Sequence, residues 1–255
     1  MSQMMQSMER VSYYQGAVQL ADAHCHLDML DDPKAAVNEA VANGVSIIIT
    51  SGGSRKANEA TTAIAKSLGV YGVVGIDPSF AVSDREYVDQ SAGLIRKNMQ
   101  LIGIGEIGLD ASVLDRSGIG AQREVFARQI DIANELDIPA VIHSRGMIKE
   151  VIRLLDEHPA NRAMFHFFEG DEAQARYLAR KGHMISIPPR DDGRRKRVIK
   201  ETDLSSMVAE TDCPVAGRSP SDVKGVIASI SSIKNIDFGE VAEQVSENVK
   251  GFFHI

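Results

Sequence analysis

Two histidines separated by a single residue, His24 and His26, are the side chains of this sequence most suited to metal chemistry. They directly follow residues 18–23, whose composition predicts a β-strand. Side chains alternate between the two faces of a strand, so histidines at positions i and i+2 point in the same direction. Two adjacent imidazoles can bind one metal ion. The pair alone fits equally well with two unrelated histidines at a strand end, because the pattern is short.

Further residues of metal-binding type lie at the ends of other short apolar segments, namely Glu106, His143, His166 and Asp212. Taken singly, each has a structural explanation as a buried histidine, a core residue, a turn residue or a cap. Taken together, four of the seven histidines of the chain and two carboxylates occupy the same kind of position. This shared position at strand ends indicates one common site.

Short β-branched segments alternate with amphipathic segments along the chain. We predict eight strands, at residues 18–23, 45–50, 70–76, 101–104, 140–143, 163–167, 183–187 and 207–210. Several are apolar throughout, as in parallel sheets that helices cover on both faces. Predicted helices include residues 34–43, 58–68, 119–136, 171–180 and 238–250. Eight β-α units in 255 residues predict an α/β fold, a (β/α)8 TIM barrel, with a doubly wound open sheet as the alternative.

The position of the candidate ligands distinguishes these two folds. Active sites of TIM barrels lie at the C-terminal ends of the strands. A closed barrel makes the first and eighth strands neighbours, which would bring Asp212 beside His24 and His26. An open sheet would keep the first and eighth strands apart. The clustering of ligand types therefore favours the barrel.

Four imidazoles and two carboxylates exceed what one ion requires and suit two divalent ions, usually about 3.5–4 Å apart. We predict two ligand sets that share one carboxylate: His24, His26 and Asp212 for the first ion, His143 and His166 for the second, and Glu106 as the bridge. Such a pair would activate a water molecule for hydrolysis, with Asp212 as the general base. Nitrogen ligands favour Zn or Mn, and Mg stays an alternative that prefers oxygen ligands.

The composition is that of an ordinary soluble enzyme, with 44% hydrophobic and 25% charged residues. A net charge of −7 argues against a protein that coats nucleic acid by bulk electrostatics. Two cysteines provide no disulfide framework, and no apolar run is long enough to span a membrane, so we expect a cytoplasmic protein. We expect residues 1–19 to form an N-terminal extension and residues 20–255 a single hydrolase domain.

Five segments in order resemble the motifs of the TatD-type deoxyribonucleases, which are metal-dependent hydrolases on amidohydrolase-like TIM barrels. The segments are Asp22-Ala23-His24-Cys25-His26-Leu27-Asp28, Gly105-Glu106-Ile107-Gly108-Leu109-Asp110, Val141-Ile142-His143-Ser144-Arg145, Phe165-His166 with Gly170, and Glu210-Thr211-Asp212 with Pro214. The resemblance extends from about residue 20 to residue 253. It implies a metal-dependent hydrolase that cleaves phosphodiester bonds in DNA. Many other barrels of the superfamily carry a carboxylated lysine where this chain has Glu106, which favours the TatD branch.

The chain departs from the TatD pattern at positions that face the substrate. The third strand of relatives usually ends in Gly-Ile-His-Pro-His, whereas this chain has Asp77 and Ser79 in place of the two histidines. We therefore count Asp77 among the candidate substrate contacts. With the histidines exchanged, we expect the substrate to be DNA or another phosphodiester of nucleotide-like character.

Two arginines complete the predicted substrate-binding residues. Arg190 opens a basic segment after the seventh strand, where barrels often bind phosphate, and Arg145 follows His143 by two residues. The basic segment as a whole is better explained as a solvated helix face, and Arg190, nearest the strand end, is its candidate for substrate binding. The alternative for Arg145 is an ion pair at the barrel rim.

Two other functions compete with phosphodiester hydrolysis. The first is an amide, lactone or cyclic-imide hydrolase of the wider amidohydrolase superfamily, which would use the same metal chemistry. The second is a metal-binding protein without turnover, which the altered substrate positions keep open.

Overall fold

The computed structural model of the protein describes residues 19–255. Eight strands form one parallel sheet in sequence order: β1 (Leu20–Cys25), β2 (Val45–Ser51), β3 (Tyr71–Val74), β4 (Leu101–Gly108), β5 (Ala140–His143), β6 (Ala163–Phe165), β7 (Met184–Ile187) and β8 (Met207–Ala209). Each strand is followed by at least one α-helix: α1 (Pro33–Ala42), α2 (Arg55–Leu68), α3 (Val88–Lys97), α4 (Ile119–Leu136), α5 (Ile148–Glu157), α6 (Glu172–Arg180), α7 (Gly193–Glu201), α8 (Val223–Lys234) and α9 (Phe238–Phe253).

The sheet closes between β1 and the segment that follows β8. The amide of His26 donates to the carbonyl of Cys213 at 2.7 Å, and the amide of Asp212 donates to the carbonyl of His24 at 2.9 Å. The buried carboxylate of Asp22 reinforces this closure, since it accepts hydrogen bonds from the Thr211 amide at 2.8 Å and hydroxyl at 2.6 Å. The predicted TIM barrel is therefore confirmed, and the open sheet is excluded.

Helix caps explain where several helices begin and end. The side chain of Asp32 accepts from the amide of Ala35 at the start of α1, and Gly69 ends α2 in the left-handed conformation with φ 68°. Helix α2 begins one turn before the predicted residue 58. The cap is Ser54, whose side chain accepts from the amide of Ala57 at 3.1 Å, and the buried side chain of Asn58 bonds to the backbone of Gly53 and Gly75.

Hydrophobic side chains form two packed layers. Alternate residues of the strands, such as Ala21 and Ala23 of β1, form one cluster with Phe252 and Phe253 of α9. A larger cluster joins the other faces of the strands to the surrounding helices. This packing holds the strand ends, and therefore the side chains on them, in fixed relative positions.

Strands β4 and β6 end at other residues than the sequence predicts. Strand β4 continues beyond the predicted end at residue 104 and includes Glu106, because Gly108 lets it run against β5. A side chain at Gly108, where φ is 144°, would lie 1.9 Å from the carbonyl oxygen of His143. Strand β6 ends at Phe165, so His166 follows the strand and does not lie within it.

The predicted N-terminal extension lies almost wholly outside the described residues, as does the predicted first residue of β1, Val18. Within residues 19–255, no helix is both long and apolar enough to cross a membrane.

Candidate metal centre

The first predicted ligand set comes together where β1 meets the segment after β8. The Nε2 atoms of His24 and His26 lie 3.2 Å apart. The Oδ1 atom of Asp212 lies 3.3 Å from Nε2 of His26 and 3.7 Å from Nε2 of His24. Asp212 has φ 49°, a left-handed backbone conformation in which Asp is enriched. Three donor atoms therefore face one small volume.

Glu106 of β4 connects this set to the second one. Its Oε1 atom lies 2.6 Å from Nδ1 of His143 and 3.2 Å from Nε2 of His166. Its Oε2 atom lies 3.7 Å from Nε2 of His24 and 3.5 Å from Nε2 of His26. One carboxylate oxygen thus faces each histidine pair, an arrangement that suits a bridging ligand.

The chemistry of the cluster fits divalent metal ions. His24 is fully buried, and Glu106 and Asp212 are only 6% and 4% exposed. The ligand-type atoms of His24, His26 and Asp212 lie within 4.8 Å of one another, and so do those of Asp77, Glu106 and His143. Nitrogen and oxygen donors this close together suit a shared cation. Imidazole nitrogens combined with carboxylate oxygens suit Zn or Mn.

Without metal, the cluster is a network of ion pairs. Burial lowers the pKa of His26, but its hydrogen bond with Asp212 and the charge of Glu106 raise it to about 9. Burial also lowers the pKa of His143, yet the charge of Glu106 and the hydrogen bond with Asp110 raise it to about 10. Burial raises the pKa of Glu106, whereas the charges of His166 and His143 hold it well below its usual range. The metal-free site therefore carries protons at neutral pH.

Metal binding is expected to release these protons. Burial lowers the pKa of His166, but the charges of Glu106 and Glu210 raise it well above its ordinary value. Metal ligation requires neutral imidazole, so at pH 7.5 about three protons should leave His26, His143 and His166 when the site is loaded. Affinity for metal should accordingly rise as the pH is raised towards 9–10 and fall as it is lowered. Calorimetric titration of Zn²⁺ in Tris and in HEPES at one pH measures the protons released, because the two buffers differ in ionisation heat. Binding without proton release would contradict the ion-pair network.

Several residues that orient the ligands received no role in the sequence prediction. Nε2 of His143 lies 3.0 Å from Oδ2 of Asp110, and this contact turns Nδ1 towards Glu106. The fully buried Glu210 lies 3.5 Å from Nδ1 of His166 and accepts a hydrogen bond from the amide of Phe167 at 2.6 Å. Carboxylates behind histidine ligands fix ring orientation and tautomer. The sequence contains one signal that points to these acids. Asp110 shares a motif with Glu106, and Glu210 shares a motif with Asp212.

The three predicted substrate contacts take different positions. Asp77 lies within the cluster, in ligand range of Glu106 and His143, and burial followed by the charge of Glu106 raises its pKa. Arg145 and Arg190 instead line the mouth, a cavity of about 220 Å³ that His143, His166 and Asp212 also line. The side chains of Arg145 and Arg190 therefore line the same cavity as the candidate ligands. The carboxylate of Asp77 lies within the cluster as a third carboxylate, beside those of Glu106 and Asp212.

Several known proteins are similar to this chain over nearly its whole length. A family model described as TatD related DNase matches residues 21–254. The human protein Deoxyribonuclease TATDN3 is 31% identical over 264 residues, which cover 92% of this chain and 95% of that protein. An uncharacterized metal-dependent hydrolase of Methanocaldococcus jannaschii, MJ1582, is 29% identical over 247 residues, covering 92% of this chain and 97% of that protein.

A solved structure supports the fold independently. The crystal structure of YjjV, a TatD homologue from Escherichia coli K12, superposes with a TM-score of 0.86 at 24% sequence identity. The match covers 93% of this chain and 99% of the other. The similarity therefore extends over nearly the whole of both chains.

Proposed function

The chain belongs to the TatD family of metal-dependent hydrolases, and from this premise we propose that it cleaves phosphodiester bonds in DNA or in a nucleotide-like substrate. The observation that carries the proposal is the position of Glu106, with one carboxylate oxygen towards each pair of histidines. The name of the human relative supports a DNA substrate for that protein, at 31% identity.

Each residue of the cluster has a proposed role. Two divalent ions, Zn, Mn or Mg, would be held by His24, His26 and Asp212, by His143 and His166, and by Glu106 between them. Bound there, divalent ions lower the pKa of a water molecule and stabilise negative charge on the reacting phosphoryl group. Asp212 presents a buried carboxylate beside His24 and His26 and accepts the proton of the attacking water.

The mouth of the site suits an anionic substrate. Arg145 and Arg190 line it, and guanidinium groups bind phosphate oxygens through paired hydrogen bonds. The Nε atom of Arg190 lies 3.1 Å from Oδ2 of Asp192, so this carboxylate holds the arginine at the rim. Asp77 would contact the second ion or a group bound to it, because it lies beside His143.

The proposal is tested by assaying the purified protein on single-stranded DNA, duplex DNA and bis(p-nitrophenyl) phosphate with Mg²⁺, Mn²⁺ or Zn²⁺, after its bound metal has been measured. We expect turnover of a phosphodiester that falls at least about 100-fold after chelation and returns when metal is added, because the ions provide the main charge stabilisation.

The same assay includes amide, lactone and cyclic-imide substrates. Their turnover in the absence of phosphodiester cleavage would replace the proposal with the first alternative, which the exchange of two histidines for Asp77 and Ser79 favours. Metal bound without turnover of any substrate would leave a metal-binding protein. Chelated protein dialysed back into its metal serves as the control for damage by the chelator.

A further inference from the structure

One arginine at the start of α7 is buried without a partner. Arg195 is only 5% exposed, although it belongs to a run of basic residues whose other members are exposed. Its Nε and Nη1 atoms are buried and have no hydrogen-bond acceptor among residues 19–255. A desolvated guanidinium without an acceptor is strongly unfavourable, so proteins normally pair it. This arrangement points to an anionic ligand.

Arg195 lines a cavity of about 400 Å³ at the N-terminus of α7. The cavity is also lined by Arg190, Arg194, Asp192, Glu169 and Gly193. Three of its lining residues are arginines, and Asp192 already caps the first turn of the helix. The cavity is thus large enough for a phosphate group and is lined by a buried cation.

The two carboxylates of the cavity are already engaged by other groups. The side chain of Asp192 caps α7 by accepting from the amide of Arg195 at 2.9 Å, and its second oxygen lies 3.1 Å from Nε of Arg190. The carboxylate of Glu169 lies 3.8 Å from Arg190, and Arg194 donates to the Glu169 carbonyl at 3.1 Å. Neither carboxylate forms an ion pair with the Arg195 side chain.

The guanidinium keeps its charge in this environment. Burial lowers the pKa of Arg195 to about 10, against the opposing charges of Glu210 and Asp192. It is therefore protonated at neutral pH, and an anion would be its direct counter-charge.

This cavity adjoins the mouth of the metal-ligand cluster, because Arg190 and Glu169 line both. We propose that it is a second anion-binding subsite, in which Arg195, with Arg190 and Arg194 beside it, binds a phosphate group of the substrate next to the one that is cleaved. The assignment to a substrate rests on the proposed phosphodiester hydrolysis, whereas the binding of phosphate itself does not.

The first experiment measures binding of inorganic phosphate by the rise of Tm, with the metal-loaded protein and again after chelation. Phosphate binding that survives chelation is located away from the metal ions. We expect Arg195→Met to weaken it about 10- to 100-fold, because hydrogen bonds to a charged group are lost. Lys200→Met removes the same charge from an exposed position of α7 and should leave the affinity within about twofold of wild type.

The stability of the ligand-free variant separates binding from folding. An unpaired buried charge is unfavourable, so Arg195→Met should have a Tm equal to or above that of wild type without phosphate. A lower Tm combined with unchanged phosphate affinity would show a purely structural arginine and overturn the proposal. Arg195→Lys keeps the charge and loses the planar fork, so it should retain weaker binding and serves if the methionine variant does not fold.

The second experiment asks where the phosphate comes from. The kcat/KM values of a thymidine dinucleotide with and without a 5′-phosphate are compared. Wild type and Lys200→Met should prefer the phosphorylated form about 10-fold or more, and Arg195→Met should lose that preference. Equal preference in all three proteins would show that the cavity binds free phosphate only. If neither dinucleotide is cleaved, the proposed function fails, while the phosphate titration still decides the subsite.

Discussion

Glu106→Gln is expected to lower kcat/KM for a phosphodiester by at least about 10³-fold, since it removes the one carboxylate that faces both histidine pairs. The glutamine has nearly the same shape, so the barrel should still fold. Its neutral oxygen is a weaker ligand, and its amide NH₂ presents hydrogens to histidines that need an acceptor. Bound metal per protein, measured by elemental analysis, should fall along with turnover.

The loss of charge has a second measurable effect on the metal-free protein. The charge of Glu106 helps raise the pKa of both His26 and His143. In Glu106→Gln these pKa values should fall, so fewer protons should be released when Zn²⁺ binds. NMR titration of the histidine ring protons would measure the change directly.

A carboxylate at the mouth provides the matched control. Glu169→Gln makes the same chemical change at a residue that lines the mouth and has no contact with the ligand histidines in the described part of the chain. It should leave metal content unchanged. Wild-type metal content and turnover in Glu106→Gln would refute the bridging role of this residue.

Asp212→Asn is expected to reduce kcat by about 10²- to 10⁴-fold, the range for loss of a general base. The substitution keeps the size of the side chain and the backbone contact between Asp212 and His24 that closes the barrel. The second ligand set, with Glu106, is left intact, so at least part of the metal should stay bound. KM should change much less than kcat.

Metal content distinguishes a base from a ligand. If Asp212 accepts the proton, turnover of the variant should stay low even when its metal content equals that of wild type. Asp222→Asn, further along the segment that follows β8, is the control and should retain full activity. A variant that regains normal turnover once its metal site is saturated would leave Asp212 as a ligand alone.

Much of this architecture follows from local features of the sequence. Apolar β-branched runs and cap residues predict the eight strands and several helices, since period and capping are properties of adjacent residues. His24, Glu106, His143 and Asp212 lie at or near the C-terminal ends of these strands. The barrel topology places all C-terminal strand ends on one face. The candidate cluster was therefore predictable before any distance was known.

Other features depend on contacts between distant segments. Asp22 and Thr211 are 189 residues apart, and only barrel closure pairs them. Asp110 becomes the partner of His143 because the glycines of β4 let two backbones approach. Asp110 and Glu210 each share a motif with a ligand, but the motif does not show which histidine the acid contacts.

Arg195 illustrates the difference between what local sequence and what tertiary packing determine. Its residue type and its place in a basic run belong to the sequence, and there it is indistinguishable from its exposed neighbours. Its burial results from the packing of α7 against the barrel, which turns one side of the helix inward and leaves the rest in water. The sequence by itself thus determined the strands, the barrel and the ligand types, because these depend on neighbouring residues and a general topology. Only the tertiary structure decided the partners of those ligands and the burial of Arg195, because burial and distance arise from packing between remote segments.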